Sequence, residues 1–348
     1  MRVLIATTHV PFVDGGAEAM DRSLTKALKA RGHAVETLRI PFKWYPPERI
    51  HEHLLACRLL DVQESNGVPI DRVIGFKFPA YHVRHPNKVN WILHQHRTAF
   101  EMWGTELCDL SIHPDGKAIR DSINAIERKL LPEARSLYTI SQTVTDRLQK
   151  YCDLSAKTLY HPPENEDVFY GGETGDYLYF PSRMNKWKRQ HLAIEALAQT
   201  RKPVKIRFSG LPDNPEFLQH LKDQASRLKV ENRISFLGRL PFEEMVDQYA
   251  NSRGVLFIPE NEDYGYITLE AMLSSKPVIT CSDSGGPTEF IRHGKEGFVC
   301  DPDPASIAKS MDALWESTAF AKDAGKKALD RYREMDISWD KIVDTLLG

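Results

Sequence analysis

Two successive series of strand, turn and helix run along this chain. That alternation constrains its fold more than any other feature, because parallel strands can be joined only through crossover segments, usually helices. Residues 2–7 read as a short apolar strand and residues 11–16 as a turn. From Ala17 onward, Met20, Leu24, Ala27, Leu28 and Arg31 fall on one face of a 3.6-residue helix. Gly32 and His33 end that helix, and residues 34–40 alternate as the returning strand. The pattern predicts further strands over 72–78, 88–94, 136–141 and 157–160, with helices over 118–131 and 143–151.

An acidic, glycine-containing stretch, 164–176, then reads as a linker. After it come strands over 177–181, 204–209, 234–237, 255–258 and 277–280. Helices are expected over 191–200, 215–228, 242–250, 266–275, 287–293 and 304–317, with a helical tail ending at Leu347. The fold class expected is α/β, with two Rossmann-like, doubly wound parallel-sheet domains facing across a cleft. Residues 1–163 form the first and 164–331 the second, and a helix over about 332–348 packs back on the first. A length of 348 residues suits two domains.

Charge and hydropathy remove several function classes. With 46 basic and 48 acidic side chains the net charge is −2, so gross charge drives no nucleic-acid binding. No apolar run approaches the roughly 20 residues that span a bilayer. The apolar start MRVLIATT is too short for a secretory signal. The five cysteines, Cys57, Cys108, Cys152, Cys281 and Cys300, are scattered and form no C-x-x-C pair, which argues against a zinc ribbon or a thioredoxin-type site. Reduced, buried thiols in a cytoplasmic protein are the expectation.

Three constellations carry chemistry. Asp14-Gly15-Gly16-Ala17-Glu18 lies between the first strand and first helix, where absent Cβ atoms admit a ligand and the helix N-terminus favours an anion. The turn lacks the G-x-G-x-x-G dinucleotide fingerprint, which removes a nicotinamide oxidoreductase. Arg183, Lys186, Lys188 and Arg189 follow the first strand of the second series, where ligands of open α/β sheets collect; a guanidinium and an ammonium suit a diphosphate. In Glu262-Asp-Tyr-Gly-Tyr-Ile-Thr-Leu-Glu270, one carboxylate sits in a loop and the other one turn into a helix. The amides after Gly265 offer an anion site between them. Such a layout suits a ligand with sugar hydroxyls at both ends and phosphates between.

Taken together, these motifs resemble the retaining GT-B glycosyltransferases, specifically family 4, over nearly the whole chain. The resemblance rests on Gly15, Gly16 and Glu18, the pair Arg183 and Lys188, Glu262 and Glu270, and Ser284-Gly-Gly-Pro-Thr-Glu289 followed by His293-Gly-x-x-Gly297. It implies that Gly15 and Gly16 present amides to the donor diphosphate and that Arg183 and Lys188 neutralise it as it leaves. Glu262 would hold hydroxyls of the donor sugar and Glu270 those of the ribose, with Gly210, Tyr264, Gly265, Tyr266, Ile267 and Thr268 completing the donor site. His94, with His96 close behind on the same face of a strand, would point at the donor sugar. The catalytic set implied is thus Glu262, Arg183, Lys188, His94 and His96.

The resemblance implies no cofactor and no metal, and Asp301-Pro-Asp303 reads as a turn. It implies a nucleotide-diphosphate sugar (UDP- or GDP-linked) as donor and a saccharide, lipid-linked or other hydroxyl acceptor. A cytoplasmic address follows, with peripheral attachment at the cytoplasmic face of a membrane left open, as is the oligomeric state. The alternatives are a nucleotide-sugar epimerase, phosphorylase or other enzyme on the same scaffold that does not transfer to an acceptor, and a non-catalytic nucleotide-sugar binder. Two positions depart from the family, Arg189 and Asp263, where it often has glycine.

Overall fold

The computed structural model describes every residue except Val13, Asp14 and Leu107, so the expected role of Asp14 in the first turn lies outside the described residues. The chain divides into two units, Met1–Glu164 with Ser338–Gly348, and Asn165–Ile337.

In the first unit, β1 (Arg2–His9), β2 (Ala34–Pro41), β3 (Arg72–Gly75), β4 (Lys88–Ile92), β5 (Leu137–Thr139) and β6 (Lys157–Thr158) form one parallel sheet in the order β2-β1-β3-β4-β5-β6. β3 and β4 are buried at every position and β1 at most of them, as expected for parallel strands covered on both faces, whereas β2 alternates at the sheet's edge. α1 (Gly16–Ala30) buries Met20, Leu24 and Leu28, spaced four apart, under this sheet. α2 (Arg49–Leu59), α3 (Gly116–Leu130) and α4 (Gln142–Cys152) complete the unit's larger helices.

α2 was not visible in the sequence pattern. Its arginine- and histidine-rich face leaves only Ile50, Leu54 and Cys57 buried, too few to stand out beside Trp44-Tyr45-Pro46-Pro47. Two strands are shorter than expected. β3 stops at Gly75, after which the chain turns into a 3₁₀ turn at Ala80–His82, and β4 stops at Ile92, its last ladder partner being Thr139.

The second unit carries β7 (Leu178–Pro181), β8 (Ile206–Ser209), β9 (Ile234–Phe236), β10 (Gly254–Leu256), β11 (Val278–Cys281) and β12 (Gly297–Cys300), all parallel, in the order β9-β8-β7-β10-β11-β12. α5 (Gln190–Gln199), α6 (Pro215–Arg227), α7 (Phe242–Ala250), α8 (Tyr266–Leu273), α9 (Pro287–Phe290), α10 (Pro304–Glu316) and α11 (Thr318–Glu334) are its helices. The order reverses between β7 and β10, and open α/β sheets bind ligands beyond the carboxyl ends of strands at such a switch point. α9 is one turn rather than two, because His293 bridges to Gly297 instead of continuing the helix. The stretch read as a linker is fastened down: Gly172 N–H donates to Ala250 O, and the buried Lys276 Nζ donates to the carbonyls of Gly172 and Glu173.

Tyr332 stays in the second unit, where its hydroxyl donates to Glu166 (2.6 Å). The chain rejoins the first unit at Ser338, six residues later than the sequence boundary near 332. α12 (Trp339–Leu347) is fixed there by Ile342, Val343 and Leu346, by Trp339 edge-on to Trp91 (6.2 Å) and by Arg31 paired with Asp344 (2.5 Å). Among the described residues no helix is long and apolar enough to cross a membrane.

Candidate functional site

The carboxyl ends of β7 and β10 place the second unit's functional side chains. Past Pro181 the chain forms a turn in which Asn185 Oδ1 accepts from Lys188 N–H (3.1 Å) and Asn185 Nδ2 donates to Asp213 (3.0 Å). This capped turn fixes Lys188, whose Nζ lies 2.5 Å from Glu262 Oε2 and 5.3 Å from the Phe257 ring centroid. Arg183 stands apart, 71% exposed, with Asp213 at 3.7 Å as its ion-pair partner. The sequence therefore grouped two cations that differ in kind: Lys188 is mostly buried and held, and Arg183 is in solvent.

Past Leu256, Phe257 and Ile258 remain in the core, and the acidic loop is stitched on both sides. Glu260 N–H donates to Trp187 O (2.8 Å), Asn261 N–H to Asp283 O (2.9 Å) and Glu262 N–H to Ser284 O (2.9 Å), while Gly286 N–H donates to Glu262 O (3.0 Å). The glycines of Ser284-Gly285-Gly286 are needed for this approach. Gly285 has φ +73°, and a Cβ there would sit 2.4 Å from Glu262 O; one on Gly286 would sit 2.4 Å from Tyr264 O. Their signature thus has a mechanical meaning: it lets one loop lie on another and holds the Glu262 backbone still.

Gly265 caps α8 with φ +94°, packed against Pro287, and Tyr264 is buried edge-on to Tyr266 and Phe290. Tyr266, Ile267 and Thr268 open the helix, Thr268 N–H already donating to Gly265 O (3.0 Å) while its buried hydroxyl has no partner. One turn on, Glu270 Oε2 accepts from the buried Tyr249 hydroxyl at 2.5 Å. Burial raises the Glu270 carboxyl to about 7, and the Tyr249 hydrogen bond opposes that rise. Gly210 has φ +123° and lies where a Cβ would meet Ser182 O at 2.0 Å, so it joins the ends of β7 and β8 by close backbone contact.

The first unit holds the other expected residues. Gly15 caps α1 in an extended conformation, and its N–H donates to Glu18 Oε2 (3.0 Å), so an anion reaching that amide would displace the glutamate. Gly16 is the helix's first residue. His94 and His96 do not share the face of a strand, because β4 ends before them. His94 Nδ1 contacts Gln95 O (2.7 Å) and is partly exposed. His96 is buried against Phe78 (5.2 Å between ring centroids) and Phe42 (6.2 Å); burial, then the neighbouring His94 charge, depresses it to about 4. These contacts are those of a packed neutral imidazole.

Sequence reading missed three groups. Tyr249, near the end of α7, belongs to no motif. Lys77, just past β3 and mostly buried, lies 3.9 Å from Glu18, and no motif flagged it. The pairing of Arg189 with Asp283 joins residues 94 positions apart. The carboxylate of Asp303 in the D-x-D triplet is spent on capping α10, accepting from Ala305 and Ser306 N–H (2.9 and 3.0 Å). Among the described residues one exposed group, Glu48, His113 and Asp115, has its potential ligand atoms within 4.8 Å of one another, remote in sequence from all the motifs above.

Solved structures share this architecture. The crystal structure of Anabaena Alr3699/HepE in complex with UDP and glucose superposes with a TM-score of 0.71 over 99% of both chains at 18% identity. The fold is therefore GT-B, with two parallel-sheet α/β domains. Residues 165–331 match the family described as Glycosyl transferases group 1. N-acetyl-alpha-D-glucosaminyl L-malate synthase of Bacillus anthracis is 25% identical, aligning over 99% of this chain and 95% of its own length. Mouse alpha-1,3/1,6-mannosyltransferase ALG2 is 27% identical over 60% of this chain, and the match spans about half (52%) of that enzyme. The family match places the second unit, nearly half of the chain, among the glycosyl transferases group 1.

Proposed function

We propose that the protein transfers a sugar, with retention of anomeric configuration, from a UDP- or GDP-linked donor to a hydroxyl of a saccharide, glycolipid or similar acceptor, and that it acts in polysaccharide or glycoconjugate biosynthesis. The observation that carries this reading is the juxtaposition at the switch point of the second unit: Lys188 against Glu262, and Glu270 one turn into α8. The ammonium and the amides at the start of α8 form the electropositive element, suited to a diphosphate. Glu262 and Glu270 accept hydrogen bonds from hydroxyls on either side of it. The likeness to a structure holding UDP and glucose supports the same donor chemistry.

In this reading the second unit binds the donor and the first, with its returning helix, takes the acceptor. Bond cleavage leaves negative charge on the diphosphate, and Lys188 and Arg183 stabilise it there. Glu262 orients the sugar through its hydroxyls. The leaving phosphate oxygen takes the acceptor's proton as the acceptor attacks from the same face. His94, partly exposed, contacts the sugar. His96 supports it from behind, inside an aromatic pocket. Five buried free thiols suit a reducing cytoplasm, and exposed Phe12, Trp44 and Tyr45 suit peripheral contact with a membrane that carries a lipid-linked acceptor.

The test is incubation with UDP- and GDP-sugars, with and without a panel of saccharide and glycolipid acceptors. The expected result is nucleoside diphosphate release that rises with acceptor, and a product whose anomeric signal matches the donor's configuration. Epimerised donor without acceptor, or binding of donor with no turnover on any acceptor, would overturn the reading.

A further inference from the structure

Arg189 stands where a glycine would be comfortable. Its backbone is left-handed, φ +58° and ψ +37°, and it caps α5. A non-glycine residue in that conformation needs compensation, and its side chain supplies some. It is mostly buried (12% exposed) and donates through both terminal nitrogens to Asp283, at 2.8 and 2.7 Å. The same guanidinium lies 3.3 Å from Glu260. It thereby ties together three segments: the turn carrying Lys188, the loop carrying Glu262, and the turn carrying Ser284-Gly285-Gly286. The backbone bonds of Glu260 to Trp187 and of Asn261 to Asp283 join the same three.

The charges matter as much as the tie. Glu260 lies two residues before Glu262 on the same loop and Asp283 on the adjoining turn, and Lys188 is already paired with Glu262. Without Arg189, two carboxylates would stand unpaired next to the position of an incoming diphosphate, and like charges brought together weaken binding steeply.

We propose that Arg189 is a positioning and charge-masking residue: it holds Glu260 and Asp283 away from the donor's diphosphate while fixing the loop that presents Glu262. The inference rests on the donor reading above, because it assigns Arg189 to selective tolerance of that diphosphate.

The test uses Arg189→Gly, in which the relieved left-handed backbone offsets part of the lost tie, with circular dichroism as the check that the fold is kept. Calorimetric titration compares a nucleoside diphosphate with the matching uncharged nucleoside. Arg189→Gly is expected to weaken the diphosphate roughly tenfold or more and leave the nucleoside within twofold. Adding Glu260→Gln and Asp283→Asn should restore most of the loss, which a stiffening role alone would not allow. Diphosphate affinity unchanged in Arg189→Gly, an equal loss for the nucleoside, or no recovery on neutralising the two carboxylates overturns the inference. A wild-type protein that binds no nucleoside diphosphate overturns the donor reading, and this inference with it.

Discussion

Replacing Tyr249 with Phe separates the packing of the second unit from its chemistry. The Tyr249 ring is fully buried, so Phe keeps its contacts with Tyr179 and Phe169 and removes only the hydroxyl that donates to Glu270 at 2.5 Å. No other side chain among the described residues donates to that carboxyl. A hydrogen bond to an ionised group contributes about 1.5–3 kcal/mol and one to a neutral group about 0.5–1.5 kcal/mol.

Glu270 is raised to about 7 in the folded state from an ordinary value of 4.5, chiefly by burial. Between those values the folded chain holds a proton that the unfolded chain has released, so stability falls as pH rises from 4.5 to 7 and levels off above. At pH 5 the substitution therefore removes a neutral bond and costs about 1 kcal/mol; at pH 8.5 it removes a charged one and costs about 2–3 kcal/mol. For a unit of this size each kcal/mol moves Tm by about 2–4 °C. Calorimetric melting of both proteins at the two pH values tests this. A loss equal at both, or larger at pH 5, would refute the assignment of Tyr249 as the donor that stabilises ionised Glu270.

Four further outcomes follow from the same geometry. Lys188→Ala and Arg183→Ala should each lower turnover by about 10²-fold or more with little change in Tm, the lysine more than the exposed arginine; near-normal activity in both variants would sink the roles given to them. Gly285→Ala, which puts a Cβ 2.4 Å from Glu262 O at φ +73°, should destabilise the protein by about 1–3 kcal/mol in denaturant titration. Nucleoside diphosphate binding near pH 6.5 should release protons as ribose hydroxyls bond Glu270, read as calorimetric heats that depend on buffer ionisation enthalpy and vanish in Glu270→Gln. His96, depressed to about 4, resists protonation in the fold while the unfolded chain takes the proton near 6.5. Stability should accordingly fall as pH drops from 6.5 to 4, and His96→Phe should flatten that slope in acid melting curves.

Legibility in the sequence followed the range of the physics. Strand β11 and helix α7 could be read because local hydrophobic spacing determines them, and α7 matches residue for residue. α2 could not, since three buried side chains among charged neighbours make a weak periodicity. The ends of β3 and β4 depend on ladder partners that lie far away along the chain, so the strand extension through His94 failed. At the site, Lys188 and Glu262 were found by motif, but their mutual contact, the Tyr249 hydroxyl on Glu270 and the Arg189–Asp283 pair all arise from loops folded on one another. Such contacts leave no spacing signal. The glycines that permit them do leave one.

The most direct measurement is a structure determined with a nucleoside diphosphate bound. The account predicts the diphosphate beside Lys188 at the start of α8, with ribose hydroxyls on Glu270 and the Lys188–Glu262 contact opened or shared. A nucleotide seated elsewhere, with Lys188 still closed on Glu262 and Glu270 untouched, would contradict it.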